Sequence, residues 1–264
     1  MINTRRLLEI VARLRDPERG CSWDLKQDFE SLIPYLLEEA YEVRDAIERE
    51  NFHELREELG DLLLQIAFHA RIAEEQGLFD FDAVAGEICA KLVRRHPHVF
   101  GDLRYETDEQ RAKAWESAKA EERQKKAEAS HRALDGIAAA LPALMFAAKM
   151  QQRASRHGFD WPEAAPVFDK VEEELEELRG AFESGDPEHI REELGDLLFV
   201  TVNLARHLRV EPESALNHAS RKFERRFRYI EDQVLESGRK LDECALQELD
   251  ALWDEAKIVL KMAT

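Results

Sequence analysis

The octapeptide Arg56-Glu-Glu-Leu-Gly-Asp-Leu-Leu63 returns unchanged as Arg191-Glu-Glu-Leu-Gly-Asp-Leu-Leu198, 135 positions later. A chain that repeats itself in this way builds one structural unit twice, and each copy has to supply its own core. The same register reaches upstream. Glu38-Glu39-x-x-Glu42 returns as Glu173-Glu174-x-x-Glu177, and in both copies 16 positions separate the third glutamate from the start of the Glu-x-x-Asp motif. Farther on, at relaxed offsets, Lys91 and Arg95 correspond to Lys222 and Arg226, and Trp115 and Lys119 to Trp253 and Lys257, each pair spaced i,i+4. A tryptophan also precedes each acidic segment, in Gly20-Cys-Ser-Trp-Asp24 and Gly158-Phe-Asp-Trp-Pro162. The long period excludes a solenoid of repeats of about 20 to 50 residues. It predicts an N-terminal domain over 1–125, a linker over 126–140 and a C-terminal domain over 141–264.

Both copies read as helix. Glycine and proline number only 11 and 8 in 264 residues, and 36% of the chain is charged, a composition suited to long amphipathic helices. Helices are expected near 3–15, 31–49, 52–76, 80–95 and 107–128, then near 141–155, 166–184, 187–208, 212–236 and 243–262. Asp186-Pro187 is an N-cap followed by proline at the first helical position, and Pro142, Pro166 and Pro212 also stand where helices should begin. Short connections between long helices favour antiparallel packing, so the fold class is all-α, a tandem of helical bundles.

Charge and cysteine usage narrow the function classes. With 56 acidic against 38 basic residues the net charge is −18, which repels nucleic-acid backbones and anionic membranes. The three cysteines have no metal-binding or disulfide spacing, and no apolar run approaches the roughly 20 residues of a membrane span. A soluble, cytoplasmic protein is expected.

The repeated carboxylates carry the chemistry. Residues three and four apart share a helix face, so Glu173, Glu174 and Glu177 can converge, as can Glu193 and Asp196 on the next helix. If the two helices pack antiparallel, the acids face one another and suit a hard divalent cation with oxygen ligands. The same holds for Glu38, Glu39, Glu42, Glu58 and Asp61. The alternative is a solvated acidic face, the usual fate of a charge run. Against it, leucines at 175, 178, 194, 197 and 198 interleave with the acids and place some of them at the core boundary. A di-iron bundle would need repeated Glu-x-x-His pairs; Glu50-x-x-His53 and Glu128-x-x-His131 occur, but neither is duplicated. Lys222 and Arg226 lie one turn apart and can meet a phosphate, or form part of an exposed basic stripe. Trp253 can stack on a base, or belong to the core.

Taken together, these residues resemble the MazG-type nucleoside triphosphate pyrophosphohydrolases. The likeness is carried by Leu14–Asp24, Tyr35–Val43, Glu58–Leu63, Arg94-Arg-His-Pro-His-Val-Phe-Gly101, Gly158–Trp161, Asp169–Leu178, Glu193–Phe199 and Lys222–Phe227. The resemblance implies Mg²⁺-dependent hydrolysis of nucleoside triphosphates to the monophosphate and pyrophosphate, broad base tolerance and a homodimer. It implies that Glu174, Glu177, Glu193 and Asp196 ligate Mg²⁺, with Glu173 orienting or activating water. Lys222, Arg226 and Trp253 would hold the nucleotide, with Lys170 and Lys257 as further candidates. Ser22 stands where the family usually has proline. The principal site is expected in the C-terminal half. The N-terminal acids form a complete second set, but Lys91 and Trp115 are 24 positions apart against 31 for Lys222 and Trp253. Two rival readings are a non-catalytic nucleotide- or partner-binding helical protein and a narrow dUTPase-like pyrophosphatase.

Overall fold

The computed structural model describes residues 2–126 and 132–262, and every regular element among them is helical. The chain divides into two compact units, Met1–Lys126 and Ala127–Thr264. Part of the expected linker, 127–131, and with it the Glu128-x-x-His131 pair, lies outside the described residues.

The first unit contains α1 (Ile2–Leu14), α2 (Ile33–Glu48), α3 (Phe52–Glu75), α4 (Phe81–Arg95), α5 (Pro97–Phe100) and α6 (Asp108–Lys126). The second contains α7 (Ala143–Ser155), α8 (Ala165–Ser184), α9 (Pro187–His207), α10 (Pro212–Glu236) and α11 (Leu246–Met262). Sequence periodicity missed the single turn α5, which Pro97 opens, and two 3-10 turns, Asp24–Lys26 and Leu241–Glu243, the second of which precedes α11.

The duplication is visible in how the helices begin and end. Asn51 and Asp186, equivalent positions, both cap: Asn51 accepts from the Glu54 N–H at 3.3 Å, and Asp186 from the Glu188 N–H at 3.0 Å. Each satisfies a donor the helix leaves unpaired, which contributes about 1 kcal/mol. One residue earlier the backbone turns left-handed in both copies, at Glu50 (φ +55°) and Gly185 (φ +72°). These tight turns fold α2 back on α3 and α8 back on α9. The equivalent alanines Ala46 and Ala181 are both fully buried, and so small a side chain lets the paired helices approach closely.

Core formation is separate in each unit. In the first, Val11, Leu32, Ala67, Phe68 and Ile72 cluster, with Leu64 and Phe81 packed against them. In the second, Val167, Val200 and Val202 are buried, as are Ile230 and Val234 of α10. Each such aliphatic side chain contributes roughly 1.5–3 kcal/mol on full burial.

Candidate functional site

Helical spacing and the α8/α9 turn together bring the acids to one place. Carboxylate oxygens of Glu174, Glu177 and Glu193 all lie within 4.8 Å of one another. Glu174 is only 7% exposed, so these are not three acids on a solvated face. An all-oxygen set at this separation fits a hard divalent cation, because like charges so close repel unless a cation lies between them. In the first unit Glu39, Glu58 and Asp61 converge in the same way within 4.8 Å. The two trios differ in one member. Glu177 completes the second, whereas its counterpart Glu42 lies outside the first, and Asp61 takes part where its counterpart Asp196 does not. Glu38 and Glu173 are exposed and belong to neither trio.

The electrostatic setting also differs between the copies. Lys170, one turn before Glu174, forms ion pairs with Glu173 and Glu174, each at 2.8 Å. Hydrogen bonds to those two carboxylates push the lysine pKa up. His189 lies 3.2 Å from Glu193. The position equivalent to Lys170 is Tyr35, whose ring instead meets Trp23 edge-on at 5.7 Å. Without a lysine there, desolvation and the charges of Asp61, Glu42 and Glu58 raise the pKa of Glu39. Desolvation, followed by Glu42 and Asp61, raises that of Glu58. Protonation and cation binding are the two ways to relieve such a cluster.

Beside the second trio opens a cavity of about 580 Å³, with Lys170, Glu174 and Asp196 in its wall. Apolar side chains make up most of the rest: Met150 of α7, Phe159 and Trp161 of the α7/α8 connection, and Phe199 and Val200 of α9. From Asp196 to Arg206 the cavity follows α9 for ten residues, about 15 Å of helix. One carboxylate, Asp160, holds the connection in place. Its Oδ1 accepts from the Trp161 N–H at 3.0 Å, lies 3.1 Å from His207 Nε2, and accepts from Arg206. Partial burial draws the Asp160 pKa upward, but hydrogen bonds from Arg206 and His207 outweigh this and hold it below the ordinary carboxylate value.

Lys222, Arg226, Trp253 and Lys257 do not line this cavity. They lie on α10 and α11, where the Arg226 guanidinium stands 5.4 Å from the Trp253 ring centre and Phe223 meets the same ring at 5.2 Å. Lys257 is paired with Asp254 at 2.7 Å. In the first unit Arg95 stands over Trp115 at 5.3 Å, so the cation–aromatic pair is duplicated with the sequence.

A family model described as the MazG nucleotide pyrophosphohydrolase domain matches residues 27–100 and again 166–230. A nucleoside triphosphate pyrophosphohydrolase of Escherichia coli K12 is 50% identical over 254 residues, 96% of this chain and 96% of the relative. The chain belongs to the MazG family. A nucleoside triphosphate pyrophosphohydrolase/pyrophosphatase MazG of Thermotoga maritima is 47% identical over 251 residues, 95% of this chain and 94% of the relative. The crystal structure of a MazG-related protein from Thermotoga maritima, 29% identical, covers 44% of this chain and 98% of its own, with a TM-score of 0.38. The two MazG segments include both acidic trios. Gln151, Asp160 and Trp161, which form one wall of the cavity, fall outside them. Sequence reasoning noted Trp161 but missed Gln151, Asp160, Asn203 and Arg206. The signals for these residues were the Gly158–Trp161 motif, which contains Asp160, and the i,i+3 spacing of Asn203 and Arg206 on α9.

Proposed function

We propose that the chain hydrolyses nucleoside triphosphates to the monophosphate and pyrophosphate at the α8/α9 site, with Mg²⁺ and with broad base tolerance. The carrying observation is the joining of a cation-sized carboxylate trio to an elongated, mostly apolar cavity, with a lysine at the junction. Glu174, Glu177 and Glu193 would hold the cation, with Asp196 reaching it from the cavity wall. Bound there, Mg²⁺ supplies charge neutralisation for the phosphates and acidifies water. Glu173, exposed beside the trio, would orient a water and take its proton as the water oxygen attacks the α-phosphorus. The bond to the bridging oxygen then breaks and pyrophosphate leaves. Lys170 can pass from Glu173 and Glu174 to the phosphates, offsetting the repulsion expected from a chain of net charge −18. Lys222 and Arg226, with Trp253 and Lys257, are assigned to holding the nucleotide. The N-terminal trio is assigned metal binding, with turnover mainly in the C-terminal unit.

The same reading includes a homodimer, supported by the apolar stripes each unit leaves open. Ile33, Leu37 and Tyr41 of α2 are exposed, as are Phe168, Leu175 and Phe182 of α8. Among the described residues no helix is long and apolar enough to cross a membrane. Work on the cytoplasmic nucleotide pool is the assigned role.

The test is pyrophosphate against orthophosphate release from ATP, CTP, GTP and UTP, with and without Mg²⁺. Glu193→Gln should lower turnover by at least about 100-fold while circular dichroism stays unchanged. Pyrophosphate should persist in Glu38→Gln/Glu39→Gln and vanish in Glu173→Gln/Glu174→Gln. Saturable nucleotide binding without Mg²⁺-dependent pyrophosphate would leave a binding module. Turnover of a single nucleotide would leave a narrow pyrophosphatase.

A further inference from the structure

The cavity contains two primary amides whose orientations are set by their neighbours. Gln151 is 7% exposed, and its Nε2 donates to the Phe199 carbonyl at 2.7 Å. A carbonyl only accepts, so the amide nitrogen must face Phe199 and the oxygen must face away from it. That oxygen, Oε1, is buried and has no hydrogen-bond partner. Asn203, also 7% exposed, shows the converse arrangement. Its Oδ1 accepts from Arg206 Nη2 at 2.7 Å, and a guanidinium only donates, so the Asn203 nitrogen is the end left over. Among the described residues nothing accepts from Nδ2. Both residues line the cavity. The lining therefore offers a fixed acceptor and a fixed donor among mostly apolar side chains, apart from the charged groups at Lys170, Glu174 and Asp196 and at Asp160 and Arg206.

A buried acceptor left unpaired costs about 1–3 kcal/mol, which a ligand supplying the donor at Gln151 Oε1 would recover. The equivalent of Asn203 in the first unit is Phe68, which is packed into the apolar core with Val11, Leu32 and Ile72. The polar pair therefore belongs to the second unit alone and is no requirement of the fold.

We propose that this cavity takes the nucleobase and that Gln151 and Asn203 read its hydrogen-bonding edge, Gln151 Oε1 accepting from a ring or exocyclic N–H and Asn203 Nδ2 donating to a neighbouring oxygen or ring nitrogen. The proposal rests on the nucleoside triphosphate reading of the site. Asp196 and Asn203 are seven residues apart on α9, about 10 Å, so phosphates at the acids leave the base at the amides. Phe159 and Trp161 provide apolar and aromatic surface against the ring faces. Each common base carries a donor next to an acceptor on its pairing edge: O6 and N1–H in guanine, O4 and N3–H in uracil, N1 and N6–H in adenine, N3 and N4–H in cytosine. A donor–acceptor pair can meet either order by a small shift of the ring, so the arrangement combines base recognition with broad tolerance. It also separates the base from Trp253, which stays with Arg226 on α10 and α11.

Asn203→Asp tests the assignment. The new carboxylate keeps an oxygen for Arg206 and turns the free donor into an acceptor, leaving two acceptors in the wall. Guanine, with N1–H beside its N2 amino group, should then lose least. The kcat/KM ratios of ATP, CTP and UTP to GTP should each fall by about 10-fold or more, mainly through KM. A second measurement leaves the protein unaltered: wild-type chain with a triphosphate whose six-membered ring is replaced by benzene. Loss of both edge partners should lower its kcat/KM by about 100-fold or more relative to ATP. If all four nucleotides change by one common factor, or the benzenoid analogue turns over like ATP, the base-reading assignment is overturned and the activity stands. If wild type releases no pyrophosphate from any nucleotide, the activity reading fails, and this one with it.

Discussion

At the scale of single residues, Asp160 is the side chain on which the cavity wall depends. One oxygen serves the Trp161 backbone, His207 and Arg206, and Arg206 in turn holds the Asn203 amide. Asp160→Asn keeps the shape and removes the charge. Leaving Arg206 without its anion should cost about 1–3 kcal/mol of stability and raise KM across nucleotides with little change in kcat. Acid should act in a defined direction. The folded pKa of Asp160 is depressed, so its contribution is full above the ordinary value of 3.8 and is lost as pH falls through the lower, folded value. Acid-unfolding curves of wild type and Asp160→Asn should therefore converge below pH 3.8, and parallel curves would exclude the linkage. Little of this network was legible in the sequence: Asn203 and Arg206 are three apart on α9 and Asp160 lies within Gly158–Trp161, but nothing in their spacing joins the three segments that also include Gln151. The acids were legible because each motif repeats at helical intervals. Which acids would converge was less so: the sequence treats Glu42 and Asp61 as equivalents of Glu177 and Asp196, yet folding brings Asp61 and Glu177 into the trios. A helical period places residues on a face but does not decide which side chain crosses to the neighbouring helix.

At the scale of elements, nearly all helix boundaries could be read in advance from caps and prolines, which act locally and do not depend on tertiary context. The turn joining the paired helices shows what local chemistry adds. In the second unit Gly185 takes the left-handed position at φ +72°, and in the first Glu50 takes it at φ +55°. A Cβ in that region costs about 1–2 kcal/mol, whereas glycine occupies it at the expense of greater unfolded-state entropy. The two copies thus contain a matched exchange. Glu50→Gly should stabilise the first unit by about 0.5–1 kcal/mol, and Gly185→Ala should destabilise the second by about 1 kcal/mol. Chemical denaturation followed by circular dichroism should show the two midpoints moving in opposite directions. Midpoints moving together would mean that Arg49, which bridges Asp45 and Glu54 across the first turn, already compensates the strain there.

For the whole molecule, the decisive feature is the apolar surface that neither unit covers. Leu37 is 53% exposed and Phe182 75%, on helices whose opposite faces are packed. Exposure recurs at equivalent positions: Ile33 with Phe168, Ile47 with Phe182, Leu59 with Leu194, and Leu63 with Leu198. Isolated exposed leucines are ordinary, but stripes along paired helices, repeated in both copies, have the pattern of a bundle whose remaining helices come from elsewhere. A second copy of the chain supplies the same stripes and satisfies a closed, symmetric arrangement. The alternative of a functional monomer makes a distinct prediction. Replacing a side chain that is exposed in the working state changes stability by no more than about 0.5 kcal/mol. If Leu37 and Phe182 are covered by a partner, Leu37→Asp and Phe182→Asp should each cost well over about 1 kcal/mol, because a charge would be buried without a counter-ion. Sedimentation should give twice the 30.6 kDa chain mass for wild type and a shift toward the single chain for the variants. A wild-type mass of one chain, with both substitutions neutral, would mean that the stripes stay exposed in the working state and would leave each acid site complete within its own unit.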